Sequence, residues 1–186
     1  MKNSFHINTK IIGLLGHPIK QTYSPFIHNN TIELKKLDYI YLPFDVPASN
    51  LRNAIKGMKA IGIKGFNVTI PHKEKIIQYI NNVSEEASII GAVNTVVNDL
   101  GKLNGYNTDA HGALETLLPF KEEIANEQIS VVGAGGAARA VIYTLIRHFK
   151  PKKIWLINRT EQRAESLKEY FSAKMNFENF KTKNIG

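Results

Sequence analysis

Ile129-Ser130-Val131-Val132-Gly133-Ala134-Gly135-Gly136-Ala137-Ala138-Arg139 is the stretch whose reading decides the fold. Its first four residues favour a strand, the glycines that follow make a tight turn, and Val141, Ile142, Leu145 and Ile146 continue at helical spacing. Gly133, Gly135 and Ala138 form a Gly-x-Gly-x-x-Ala pattern, filled in by the small residues Ala134, Gly136 and Ala137. Between a strand and a helix, such residues let the backbone approach a pyrophosphate at the helix amino end. Gly-Lys-Ser/Thr does not follow, so the turn is not a P-loop.

Toward the carboxyl end, Lys153 to Ile157 reads as the next strand, followed by Asn158-Arg159-Thr160 and then Arg163. A site for NAD usually carries an acidic residue at this strand end, where it holds the ribose 2′-hydroxyl. Asn158, Arg159, Thr160 and Arg163 instead offer donors and positive charge, which suit a 2′-phosphate. Arg159 and Arg163 lie one helical turn apart, so the two can face one anion. NADP is the cofactor this pattern favours. A helix through Leu167 and Phe171 then gives way to a polar, weakly patterned tail from Asn176 to Gly186. Only two strands of such a domain are legible, so the chain reads as a fragment with an open sheet edge that a homodimer could cover.

Toward the amino end, strands at Lys10–Gly16 and Tyr39–Val46 alternate with helices, one of them opened by Pro47-Ala48-Ser49-Asn50 and running through Leu51, Ile55 and Met58. That rhythm predicts a mainly parallel sheet with right-handed crossovers. Ser24 before Pro25 reads as a helix N-cap, and Phe26, Ile27, Ile32, Leu34 and Leu37 as the apolar stripe of the helix that follows. Thr22 and Ser24 also aim two hydroxyls the same way, enough to hold a carboxylate together with helix amides.

The strand Ile63–Ile70 meets Pro71 and a helix expected to begin at His72-Lys73-Glu74-Lys75. Asn67, Thr69 and Lys73 therefore gather near a strand's carboxyl end, where an amide, a hydroxyl and an amine suit a small polyhydroxylated ligand. Ser84-Glu85-Glu86-Ala87 starts a further helix, and a hairpin joins Gly91–Asn98 to Lys102–Tyr106. Asn94, at the entry of that hairpin, is either a turn residue or a ligand group. Asn107 or Thr108 caps the next helix, where Asp109 either answers the helix dipole or pairs with Lys73 as acid and base.

Composition narrows the function classes. The 186 residues are 43% hydrophobic and 22% charged, ordinary for a globular protein. With no cysteine, disulfides, thiolate nucleophiles and cysteine-ligated metals are excluded, and no metal site is expected. No apolar run approaches a membrane span, and the start lacks a signal-peptide core, which points to a cytoplasmic protein. The net charge of +8 is scattered rather than clustered with aromatics, which reads first as a lysine-rich solvated surface and second as a charge that draws in anionic ligands, rather than as a nucleic-acid patch.

Taken together, Thr22-Tyr23-Ser24-Pro25, Asn67-Val68-Thr69-Ile70-Pro71-His72-Lys73, Gly91-Ala92-Val93-Asn94-Thr95, Asn107-Thr108-Asp109 and the glycine turn resemble the shikimate dehydrogenase family from about Ile11 to Arg163. The resemblance implies NADPH-dependent reduction of 3-dehydroshikimate to shikimate, a step toward aromatic amino acids. It casts Lys73 and Asp109 as the catalytic pair and Thr22 and Ser24 as carboxylate ligands. Asn67, Thr69 and Asn94 would hold ring oxygens, and Glu85 would lie near the nicotinamide. It implies a substrate-binding catalytic domain over 1–108, a connection over 109–127 and an incomplete Rossmann NADP-binding domain over 128–186. Thr22 stands where the family generally has serine, which leaves quinate open as a substrate. The short carboxyl part leaves open a non-catalytic ligand-binding protein.

Overall fold

The structure is a computed structural model describing residues 6–185. Its contacts divide the chain into two compact units. One comprises the chain up to Ser84 together with Val93–Tyr106; the other comprises Glu85–Ala92 and the chain from Asn107 onward. These boundaries differ from those read in the sequence. The stretch expected to connect two domains contains helix α4 (Asp109–Leu117) and the short α5 (Lys121–Ile124), both within the second unit.

The first unit is built on strands β1 (Lys10–Gly16), β2 (Tyr39–Asp45), β3 (Gly65–Val68), β4 (Asn82–Val83), β5 (Thr95–Asp99) and β6 (Lys102–Tyr106). They form one sheet in the order β2-β1-β3-β5-β6-β4. β1 pairs in parallel with β2 and β3, as the strand–helix rhythm requires, and β4 pairs in parallel with β6. The hairpin β5–β6 is antiparallel and joins the sheet antiparallel to β3. Helix α2 (Leu51–Ala60) buries Leu51, Ile55 and Met58 at the spacing of one helical face.

Helix α1 (Ser24–Leu34) departs from expectation because it buries none of its residues. Phe26, Ile27, Leu34 and Leu37, expected to form a core stripe, are all exposed. Polar contacts dock this helix instead. Asn29 Nδ2 donates to the Tyr41 carbonyl at 3.0 Å, Asn29 Oδ1 accepts the Tyr41 amide at 2.9 Å, and His28 stacks on the Tyr41 ring at 4.1 Å. Only Ile32 of the stripe packs against the small core of Leu14, Ile19 and Tyr41.

The helix expected directly after Pro71 is also displaced. Lys73 gives its carbonyl to the Val93 amide at 2.8 Å, which diverts it from a helical ladder, and a short 3-10 turn forms later, over Lys75–Tyr79.

The second unit alternates strand and helix: β7 (Gln128–Val132), α6 (Gly136–Thr144), β8 (Lys153–Asn158), α7 (Glu161–Met175) and β9 (Phe180–Asn184). A π-helical turn, Leu145–Phe149, extends α6. The strands are parallel in the order β7-β8-β9, a βαβαβ arrangement. β9 lies in the weakly patterned tail, where no strand is expected; Phe180 enters the core and Thr182 donates a hydrogen bond to Glu165 of α7. Ile142, Leu145, Phe149, Ile154, Leu156, Leu167, Phe171 and Phe180 form that core, and Ile90 of helix α3 (Glu85–Ile90) joins them. No helix among the described residues is long and apolar enough to cross a membrane.

Candidate active site

In β3 the alternation places Phe66 and Val68 in the core and turns Asn67 to the other face, opposite Thr95 of β5. Asn67 Oδ1 accepts the Tyr41 hydroxyl at 2.9 Å, and its Nδ2 donates to Thr95 Oγ1 at 3.3 Å. Thr95 Oγ1 donates in turn to Asn94 Oδ1 at 3.0 Å. At the other end, Ser24 hydrogen-bonds Tyr41, and Thr22 Oγ1 donates to Ser24 Oγ at 3.1 Å. Burial pushes the Tyr41 phenol up to about 12 against the opposing effect of the Ser24 bond, so it remains a hydrogen-bond donor across the physiological range.

Thr22, Ser24, Asn67 and Asn94 thus belong to one relay of hydroxyls and amides, a set suited to a ligand carrying several oxygens. Thr69 lies just beyond the end of β3, with its amide on the Leu15 carbonyl at 2.9 Å. Sequence reasoning missed Tyr41 and Thr95 because each reads as an ordinary strand residue. The available signal was a tyrosine hydroxyl that needs a partner when buried. The expected N-cap is corrected: Ser24 is the first residue of α1 and makes no side-chain cap. Its amide donates to Thr22 Oγ1 at 3.2 Å instead, so Thr22 performs the capping.

Lys73, half-buried, follows Pro71 and His72 in a turn, and its bond to Val93 sets it beside the residue preceding Asn94. His72 is fully buried. Its Nε2 faces the Val46 carbonyl at 2.7 Å and therefore carries the proton, while its Nδ1 has no hydrogen-bond partner. Burial holds the imidazole below the usual histidine range; the Val46 bond opposes this, and the nearby charges of His17 and Lys75 add to it.

A pH dependence follows. The unfolded chain protonates this histidine near 6.5, above the folded value, so the unfolded state binds more protons in between. Stability contributed by neutral His72 is complete above pH 6.5 and is lost as pH falls through the folded value. Urea titrations at descending pH should show a smaller acid loss in His72→Gln than in the parent; equal slopes would remove His72 as the cause.

Asp109 opens α4 in the second unit. The cap is Asn107, whose Oδ1 accepts the amides of Asp109 at 3.0 Å and Ala110 at 3.2 Å, while its Nδ2 holds the Ala92 carbonyl at 2.9 Å. Of the two residues expected to cap this helix, Asn107 does so and Thr108 makes no side-chain cap.

At the glycine corner, Gly133 has φ +107, a conformation that disfavours other residues, and donates its amide to the Ile157 carbonyl at 2.8 Å. A Cβ at Gly133 or Gly135 would meet nothing within 4 Å, so the backbone there is open to a ligand. The first helical bond of α6 runs from Arg139 to Gly135, which leaves the amides of Gly136, Ala137 and Ala138 without helical acceptors, as a pyrophosphate cradle requires. Ala134 lies within the same turn.

At the adjacent end of β8, Asn158 Nδ2 donates to the Thr160 carbonyl at 2.7 Å and closes the turn that bears Arg159. Arg159 and Arg163 are exposed. Arg159 precedes α7 rather than lying in it, so the single-helix-face argument for the two arginines fails, although both remain at this end of the unit. Glu85 is the first residue of α3, in the second unit. It lines a cavity of about 400 Å³ with Tyr143, Arg147 and Lys174. Tyr143 lies in the last turn of α6 and Arg147 in its π-helical extension, so this cavity is at the carboxyl end of the helix and the glycine corner at its amino end.

A mixed α/β sheet bearing a polar relay, joined in one chain to a βαβαβ unit with a small-residue phosphate corner, defines a two-unit α/β protein of the dinucleotide-binding class. The family model described as "Shikimate dehydrogenase substrate binding domain" matches residues 14–96, and that for "Shikimate / quinate 5-dehydrogenase" matches residues 117–184. The chain belongs to the shikimate dehydrogenase family. It is 49% identical over 162 residues to a shikimate dehydrogenase (NADP(+)) of Caldanaerobacter subterraneus subsp. tengcongensis, covering 87% of this chain and 58% of the relative. The crystal structure of shikimate dehydrogenase from Aquifex aeolicus superposes with a TM-score of 0.85 at 39% identity, covering 97% of this chain and 65% of that one. A shikimate dehydrogenase in complex with NADP+ gives 0.82 at 41% identity, covering 96% and 63%. The chain spans about three fifths of the length of the curated relatives it matches.

Proposed function

We propose that the protein carrying this sequence reduces 3-dehydroshikimate to shikimate with NADPH. The observation that carries the reading is the relay Thr22–Ser24–Tyr41–Asn67–Thr95–Asn94, which lies in the same unit as Lys73. A cyclic substrate with a carboxylate and several hydroxyls can exchange hydrogen bonds with this series one for one, Thr22 and Ser24 taking the carboxylate and Asn67, Thr69 and Asn94 the ring oxygens. The open glycine corner fits the pyrophosphate of a dinucleotide, and Arg159, Thr160 and Arg163 fit a 2′-phosphate. When bound, NADPH supplies the hydride.

Lys73 gives its proton to the oxygen that becomes an alkoxide, and its charge stabilises that oxygen as it develops. Asp109 orients the amine and the neighbouring substrate hydroxyl. The test is consumption of NADPH with 3-dehydroshikimate, measured beside calorimetry with shikimate; binding without turnover would favour a non-catalytic ligand-binding protein. Thr22 favours a second substrate, quinate, because its methyl group changes the shape of the carboxylate end, and parallel assays with shikimate and quinate decide between them.

Cofactor choice makes a further prediction. Arg159→Ala should weaken NADPH binding by about tenfold to a hundredfold, the worth of a charge-assisted hydrogen bond to phosphate, and leave NADH binding nearly unchanged. Equal losses for both cofactors would move Arg159 away from the 2′-phosphate. A cytoplasmic location and a homodimer belong to the same proposal, and size-exclusion chromatography reads the assembly.

A further inference from the structure

Helix α2 carries Arg52, Lys56 and Lys59 at positions i, i+4 and i+7, on one helical face. Together with Gln78, Tyr79 and Asn81 they line a cleft of about 310 Å³ whose apolar side is Ile55, Ile80 and Leu103. No acidic residue lines it. Among the described residues, none of the three cations takes part in an ion pair.

This arrangement costs free energy in the isolated helix. Arg52–Lys56 and Lys56–Lys59 are like-charge neighbours at the spacings where repulsion acts. Arg52 also stands in the first turn, where the helix dipole disfavours a cation and no acidic residue offsets it. Only Lys59, in the last turn, is placed as the dipole prefers. The dipole therefore explains one of the three charges, and the other two want an anion. The cleft adds two side-chain amides, a phenol and an apolar wall, which suit a phosphate attached to a flat hydrocarbon body.

We propose that the α2 cleft is a binding site for a small organic phosphate with an aromatic or apolar moiety, separate from the polar relay and from the glycine corner. Its phosphate sits on Arg52, Lys56 and Lys59, and its flat body lies along Tyr79, Ile80 and Leu103. The proposal goes beyond the catalytic reading and does not depend on it.

Phenyl phosphate and inorganic phosphate serve as probes, titrated calorimetrically at constant ionic strength into the parent protein and the R52Q/K56Q/K59Q variant. Phenyl phosphate should bind one per chain, more tightly than inorganic phosphate, and about tenfold or more weakly in the variant. Circular dichroism should be unchanged, because all three side chains are exposed. In the parent, the side-chain amide resonances of Gln78 and Asn81 should shift as phenyl phosphate is added. Equal affinity in parent and variant, phenyl phosphate binding no tighter than inorganic phosphate, or resonance shifts confined to other residues would each overturn the proposal. NADP+ titrated into the same two proteins should bind equally, so failure of this site is distinguishable from failure of the nucleotide reading.

Discussion

Lys73→Ala should lower turnover of 3-dehydroshikimate by about 10²- to 10⁴-fold, the usual worth of a positioned general acid, and leave NADPH binding nearly intact. The two readouts separate because Lys73 belongs to the first unit and the glycine corner to the second. The substitution is also mild for the fold. Lys73 is half-buried, and its turn is fixed by the Val93 amide donating to the Lys73 backbone carbonyl, a bond that alanine retains. Steady-state kinetics at saturating NADPH, beside a direct cofactor titration, check the prediction. Undiminished turnover would remove Lys73 from the mechanism. Loss of cofactor binding would mean that the variant acts through something other than proton transfer.

Gly91→Ala should be strongly destabilising, because crowding and a left-handed backbone act at the same position. Gly91 follows α3 with φ +71, and a Cβ there would lie 2.7 Å from the Tyr170 hydroxyl and 2.9 Å from Arg139 Nη1. Neither neighbour yields easily. Tyr170 donates to the Ser88 carbonyl at 3.0 Å, and Arg139 stacks on the Tyr170 ring at 4.6 Å and donates to the Ile90 carbonyl at 3.4 Å. The left-handed backbone and the crowding together cost roughly 2–4 kcal/mol. For a chain of this length that lowers the midpoint of thermal unfolding by roughly 5–12 °C. Gly112→Ala is the matched control. It lies within α4 with nothing within 4 Å of the added carbon, so it should stabilise by about 0.5–1 kcal/mol. Calorimetric scans of both variants decide the point; equal midpoints would mean that the backbone at Gly91 relaxes freely.

What was legible in the sequence follows from the range of each interaction. The strand at Lys10–Gly16, the buried face Leu51, Ile55 and Met58, and the strand–glycine–helix corner rest on local period and turn chemistry, which the chain displays directly. The relay was legible in its parts, because Thr22, Ser24, Asn67 and Asn94 stood in recognisable motifs. Tyr41 and Thr95 were not, since what distinguishes them is the strand register that brings distant positions side by side. β9 was missed because two of its five residues are lysines; pairing with β8 and the burial of Phe180 hold it in place, and neither is a local signal. The core stripe assigned to α1 failed for the opposite reason: the apolar spacing was present, but Asn29 and His28 made the contacts.

Helix α3 has a practical consequence for dissection of the molecule. The first unit contributes residues on both sides of it in sequence, ending at Ser84 and resuming at Val93, while Ala87 and Ile90 are buried with the second unit. A polypeptide cut after Tyr106 to isolate the amino-terminal half would carry this helix without the side chains of α6 and α7 that enclose it, leaving a greasy protrusion prone to self-association. A soluble version of that half calls for the excursion from Glu85 to Ala92 to be replaced by a short polar bridge rather than for a single cut.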